Sequence, residues 1–263
     1  MDRKVLSSNS DFVLGLNSTQ FLALSQSLDN IDIPNNTNVD LLVVEKTLSN
    51  HLSINVGSNS NSLVAILIKE FEELSIDVIV KENSHLEIYF ADFTKGKVNL
   101  KFNAKLLERN ATCNWHLSSL TAEKDKKQFD ISVDHVSPQT FARMDNYGVC
   151  KDDGKLVFSG ISFIKNGSKG SKTHQNSKIM VFDSLSNGIA KPILKIDEND
   201  IEASHAAVVG KINDEHLFYL TSRGLSESAA KELITFGYLK PIMNGFSDEA
   251  MKEEITKLIE GRM

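Results

Sequence analysis

The chain is 263 residues long, with Lys+Arg 29 against Asp+Glu 35 and a formal net charge of -6. That balance argues against a general nucleic-acid binder, which needs a cationic face to displace counterions. Two cysteines, Cys113 and Cys150, cannot build a disulfide framework, so a reducing cytoplasm is the expected compartment.

Nothing after Met1–Ser8 has the apolar core of a signal peptide, and the run Leu63–Ile68 is far too short to span a bilayer. The expectation is a soluble, intracellular chain. Residues 1–38 are rich in Asn and Ser. Phe12, Leu14 and Leu16 alternate, Phe21, Leu22, Leu24 and Leu28 come at near-helical spacing, and Pro34–Asn38 is turn or linker chemistry. This segment reads as a short, weakly structured lead-in.

From 39 to 212 the pattern has period two. Ile76, Val78 and Val80 alternate with Asp77 and Ile79, and Val98, Leu100, Phe102 and Ala104 alternate with Asn99, Lys101 and Asn103. Most runs have one apolar and one polar face, as half-buried strands do. Asn-Gly, Asp-Gly and Lys-Gly steps between them supply turns. Val133, Leu156 and Ile179 recur at intervals of about 23 residues, which suggests stacked solenoid coils. Periodicity alone leaves a β-sandwich open.

The segment 213–263 turns helical. Ser226 is a plausible N-cap, and Ala229, Leu233 and Phe236 line one face, with Ala230 and Ile234 alongside. Gly237 and Pro241 bracket a break, and Ser247-Asp248-Glu249 caps a last helix carrying Met251, Ile255, Leu258 and Ile259. The expectation is a helical pair on a β body.

Three groups of residues could carry chemistry. Gly167-Ser168-Lys169-Gly170-Ser171-Lys172-Thr173 imitates a phosphate loop, but Ser171 separates Gly170 from Lys172 and no helix follows, so it reads as a turn. Cys113, His116, His135 and Cys150 are zinc-ligand types. Positions three apart on a strand face opposite ways, so Cys113 and His116 should not converge. His205 lies among small residues in Ile201-Glu202-Ala203-Ser204-His205-Ala206-Ala207, with Glu202 and Asp200 near enough in sequence to orient it. Such a histidine is more often packed or on the surface, although imidazole is a good iron ligand.

The Ser204-His205 element, the Val209-Gly210 step, the run Leu217-Phe218-Tyr219-Leu220 and Ser222-Arg223-Gly224 together closely resemble the SufB/SufD family of iron–sulfur cluster assembly proteins. The resemblance covers about 130 to 240 and is faint before 100. It leans to the SufD branch, because Lys178–Ser184 contains no cysteine and Ala206, not Glu, follows His205. Ala203 stands where relatives often have Cys, and Ala206-Ala207-Val208 replaces a Gly-Ala-Thr type sequence. Little here matches the large N-terminal helical segment of many relatives.

The resemblance implies a mainly β protein, with a right-handed parallel β-helix (solenoid) over 39–212 and a C-terminal helical segment over 213–263. It implies a non-enzymatic scaffold subunit that pairs with a SufB-like chain through the β-helix and docks the SufC ATPase through its helices. His205 matches a histidine implicated at the SufB interface, where it would be a transient cluster or iron ligand; no cofactor would be bound stably. Tyr219, Leu220, Arg223, Leu225 and Phe236 are the ATPase-contact candidates. Two other readings are a β-helix polysaccharide-acting enzyme, for which Asp134 with Asp145 is a weak carboxylate pair, and a homodimeric scaffold acting without SufB. Neither a nucleic acid nor a membrane is expected as a partner.

Overall fold

A computed structural model describes residues 12–13, 19–23, 29–45 and 50–263. Among the described residues, strands alternate between two parallel sheets of eight strands each. One holds β1 (Phe12–Val13), β3 (Asn30–Ile33), β5 (His51–Val56), β7 (Glu73–Val80), β9 (Lys97–Leu106), β11 (Lys126–His135), β13 (Lys155–Ile164) and β15 (Asn187–Ile196). The other holds β2 (Thr19–Ala23), β4 (Asn38–Glu45), β6 (Asn61–Ile68), β8 (His85–Asp92), β10 (Thr112–Thr121), β12 (Phe141–Cys150), β14 (Ser171–Val181) and β16 (Ile201–Lys211). The result is a parallel β-solenoid with two strands per coil, followed by three helices.

Strand alternation builds the interior. Inward positions of successive coils stack in register, as Ile31, Ile54, Val78, Ala104, Val133 and Ser162 do across five parallel ladders from β3 to β13. Asparagine fills the left-handed turn position in four successive coils: Asn36, Asn59, Asn83 and Asn110 all have φ between 54° and 58°. Asn tolerates this region because its short amide bonds locally. Here the amides also bond from coil to coil, Asn110 Nδ2 to Asn83 Oδ1 at 2.9 Å and Asn83 Nδ2 to Asn59 Oδ1 at 3.3 Å.

The coil lengthens along the chain. Asn30 pairs with Ser53, but Lys155 pairs with Asn187, so the repeat grows from about 23 to about 32 residues. The interval read from Val133, Leu156 and Ile179 is therefore the repeat of the early coils and not of its own region. Val133 pairs with Ser162, and Leu156 with Lys127 and Gly188. Phe21 and Leu22, read at helical spacing, lie on β2 and pair in parallel with Leu42 and Val43. Leu14, Leu16, Leu24 and Leu28 lie outside the described residues.

The tail forms α1 (Asp214–Ser222), α2 (Glu227–Leu239), a 3-10 turn (Lys240–Gly245) and α3 (Glu249–Glu260). There are three helices where the sequence suggested two, because the run Leu217–Leu220 is itself helical. Asn213, Ser226 and Asp248 cap them, each side-chain oxygen accepting from backbone N–H groups of the first turn. Helix α2 runs through Gly237 and ends before Pro241. Met251, Ile255 and Ile259 of α3, with Leu239, Ile242, Met243 and Phe246, cover Leu42, Ala65, Leu67, Ala91, Phe93, Leu120 and Val149 on the outer face of the β16-to-β2 sheet. This explains the unbroken apolar run Leu63–Ile68: the C-terminal half of β6 is buried on both faces, by the lumen and by the tail.

Candidate functional site

The last coil differs from those before it. Strands β15 and β16 end their sheets, so each presents one unpaired edge. Their side chains are half-buried or exposed throughout, and Ile189, Ile193, Ile196, Val208 and Val209 are 37 to 54% exposed. His205 sits on this edge strand and is exposed. In the parallel ladder it lies across from Gln175. Thr173, Gln175 and Ser177 are the buried, inward positions of β14, so His205 faces the mouth of the lumen.

Glu202 and Asp200 do not orient His205. Glu202, an odd number of residues away, faces outward, 3.0 Å from Lys172 Nζ and 3.7 Å from His174 Nε2. Asp200 lies in the turn before β16 and accepts from Gly170 N–H with its backbone carbonyl.

Sequence reasoning missed what lies beneath His205. Polar side chains fill inward positions beneath it: Asn146, Ser162, Thr173, Gln175 and Ser177 are all buried, beside Met144, Phe158 and Ile179 of the apolar core. Trp115 Nε1 donates to Asn146 Oδ1 (3.1 Å), and Asn146 Nδ2 to Ser177 Oγ (3.1 Å). Thr173 Oγ1 donates to Ser162 Oγ (2.8 Å), and Gln175 Nε2 reaches Ser162 Oγ (2.8 Å) and the Ile193 carbonyl (3.0 Å). The available signal was polar residues at inward positions of β13 and β14, legible only once the register is known.

A second cluster occupies the outer face of the same sheet. Glu87 accepts from His116 Nε2 (2.6 Å), His85 Nε2 (2.8 Å) and Asn114 Nδ2 (2.9 Å). Burial alone would raise its carboxyl, but these hydrogen bonds hold it well below the usual carboxylate range. Burial, reinforced by the Glu87 charge, pushes the Tyr89 phenol up to about 12, and its ring stacks on His116 at 4.4 Å.

The two cysteines do not act together with the histidines. Cys113 faces the lumen and His116 the outside. Burial pushes the Cys113 thiol up to about 12 and the Cys150 thiol up to about 11. Neither is a thiolate at neutral pH. His135 is buried, with Nδ1 2.8 Å from Thr140 Oγ1. No group of three or more His, Cys, Asp or Glu able to hold a metal occurs among the described residues. Gly167 and Gly170 have positive φ in the turn between β13 and β14, where no helix could hold a phosphate. Asp134 and Asp145 lie in different sheets, paired with Lys165 and Arg143.

The tail offers a separate surface. Helix α1 buries no side chain, and Phe218 and Tyr219 are 72% and 55% exposed. Arg223 lies over the Tyr219 ring at 5.2 Å, and the Leu220 carbonyl accepts from the Arg223 and Leu225 N–H groups. Leu225, Ala229, Leu233 and Phe236 line an apolar groove completed by Thr256 and Ile259 of α3. The face read from the sequence as Ala229, Leu233 and Phe236 thus lines a groove, while Ala230, Thr235 and Leu239 are the residues of α2 that become buried.

The fold and its open last coil define a β-solenoid protein with a helical tail. Residues 41–238 match the family model "SUF system FeS cluster assembly, SufBD core domain", and the chain belongs to that family. It is 32% identical over 137 residues to the iron-sulfur cluster assembly protein SufD of Bacillus subtilis, covering 52% of this chain and 31% of that protein. It is 30% identical over 190 residues to a SufBD family protein of Staphylococcus saprophyticus and 28% identical over 190 residues to SufB of Bacillus subtilis, each time covering 70% of this chain and 40% of the relative. The chain thus spans well under half the length of these relatives. No helix among the described residues is long and apolar enough to cross a membrane.

Proposed function

We propose that this chain is a SufD-like, non-enzymatic scaffold subunit of iron–sulfur cluster assembly, working in the cytoplasm. The observation that carries the reading is the last coil: two unpaired strand edges, a set of exposed aliphatic side chains and an exposed histidine on one surface. An edge of this kind invites a strand from another chain. A SufB-like subunit is the proposed partner, because the family contains both branches and the curated relatives include each.

In this reading the solenoid (39–212) is the pairing module and the helical segment (213–263) docks the ATPase SufC. Tyr219, Leu220, Arg223, Leu225 and Phe236 would form the docking surface. His205 would hold iron or nascent cluster transiently at the subunit seam. A neutral imidazole is a weaker anchor than thiolate, which suits cargo that must leave. Both thiols here are buried and protonated, so thiolate ligands would come from the partner. Nucleotide-driven closure of the ATPase would pull on α1, which is joined to the His205 strand through only Ile212 and Asn213.

The test is co-purification with SufB and SufC, followed by cluster reconstitution with His205→Ala. The reading expects an intact complex with reduced cluster yield. An intact complex with unchanged yield removes the ligand role. The same edge could take a second copy of this chain, and light scattering of the chain with and without SufB separates that homodimer from the mixed pair.

A further inference from the structure

Gln175 is 4% exposed, yet its Oε1 has no hydrogen-bond partner. A buried acceptor without a donor requires an explanation. The amide cannot simply be turned over. Its other end donates to the Ile193 carbonyl, which only accepts, so Nε2 must stay there and Oε1 must stay free. Space has been kept for it. A Cβ on Gly160 would come within 2.9 Å of Oε1, so the lack of a side chain at this strand position lets the amide lie across the lumen.

Gln175 has two in-register neighbours on the inner face. Met144 of β12 offers no donor. His205 of β16 carries a ring N–H and stands on the adjacent strand, about 4.8 Å away in backbone spacing. Gln175 Oε1 is not hydrogen-bonded to His205 in the structure, and we infer that a turn of the exposed His205 ring completes the pair and makes Gln175 its positioning residue: the free carboxamide oxygen accepts one imidazole N–H and leaves the other ring nitrogen facing outward, toward the seam. Metal-binding histidines are commonly fixed by an acceptor on the second nitrogen, which sets tautomer and ring orientation. The inference rests on the proposed ligand role of His205 for its meaning but not for its test.

The test uses the isolated full chain, 15N-labelled at histidine, above pH 8 where imidazoles are neutral. Ring 15N shifts report the tautomer of each of the seven histidines. The expected result is one dominant His205 tautomer in the wild type and a mixture in Gln175→Met. His51 and His85, on β5 and β8, should not move. Identical His205 signals in wild type and Gln175→Met, with the rest of the spectrum folded, overturn the inference. Should Gln175→Met not fold, Gln175→Leu and the wild-type tautomer decide it: an even mixture in the wild type already contradicts the proposal. If the tautomer depends on Gln175 but His205→Ala leaves cluster yield unchanged, the ligand reading fails while the positioning contact stands.

Discussion

Lys127 places its Nζ 2.7 Å from Asp92 Oδ2 at a point in the solenoid where neither side chain has any exposure. The pair joins the two sheets, β11 to β8. Nζ also donates to the Leu120 carbonyl (2.9 Å), and Asp92 accepts from Ser119 Oγ (2.7 Å) and Thr94 Oγ1 (2.5 Å). Burial pushes the Lys127 ammonium down from its ordinary value, and the Asp92 charge works against that. Removing one partner leaves a buried carboxylate with no cation. Lys127→Met should cost about 3–5 kcal/mol by that mechanism. Lys127→Met with Asp92→Asn should recover part of the loss in urea denaturation, because no unpaired charge remains.

Acid should weaken the fold through His135. Burial lowers its ring to about 4 from an ordinary 6.5, with the nearby Asp134 charge pulling weakly the other way. Between these values the unfolded chain binds a proton that the folded chain does not. Stability is therefore fully present above about pH 6.5, falls as pH drops toward about 4 and levels off below. The loss from this group is about 3 kcal/mol over that window. His135→Leu, a change matched by Leu106 and Ile164 in register, should flatten the pH dependence of Tm there. Glu87 adds its own loss at lower pH, because its folded carboxyl stays ionised below the unfolded range.

The seat of the tail can be disturbed without touching the lumen. A Cβ on Gly245 would clash with Tyr89 Cγ, whose ring is already stacked on His116. Gly245→Ala should therefore lift the 3-10 turn from the sheet, at a cost of about 1–3 kcal/mol. Hydrogen exchange should quicken in α3 and leave β11 and β13 unchanged.

The groove on the tail should separate docking from stability. Leu233 is 52% exposed, so Leu233→Asp should change stability by no more than about 0.5 kcal/mol. The same substitution should abolish capture of the ATPase if α2 docks it, which a pull-down with SufC measures.

Much of the fold is legible in the sequence because its rules are local. Alternation at Ile76–Val80 and Val98–Ala104 declares strands, and caps at Ser226 and Asp248 declare helix starts. Register is not local. A coil that lengthens from one turn of the solenoid to the next has no fixed period to count, so the spacing of Val133, Leu156 and Ile179 pointed to the right architecture through the wrong pairs. The same limit hid the site. His205 could be picked out by its surroundings and by resemblance, but Gln175, Ser162 and Gly160 come together only across coils. The His85–Glu87–His116 cluster likewise joins β8 to β10 through a register that no motif announces. The helix of Leu217–Leu220 was obscured because its apolar residues remain exposed, leaving no buried stripe to read.

The central claim is that the last coil is covered by a partner strand edge. Hydrogen–deuterium exchange of the full chain, alone and mixed with a SufB-like subunit, tests it most directly. The account predicts strong new protection of amides in 187–211, with β5 to β11 unchanged. Equal exchange of 187–211 in the two samples, when sizing shows that the complex has formed, would contradict it.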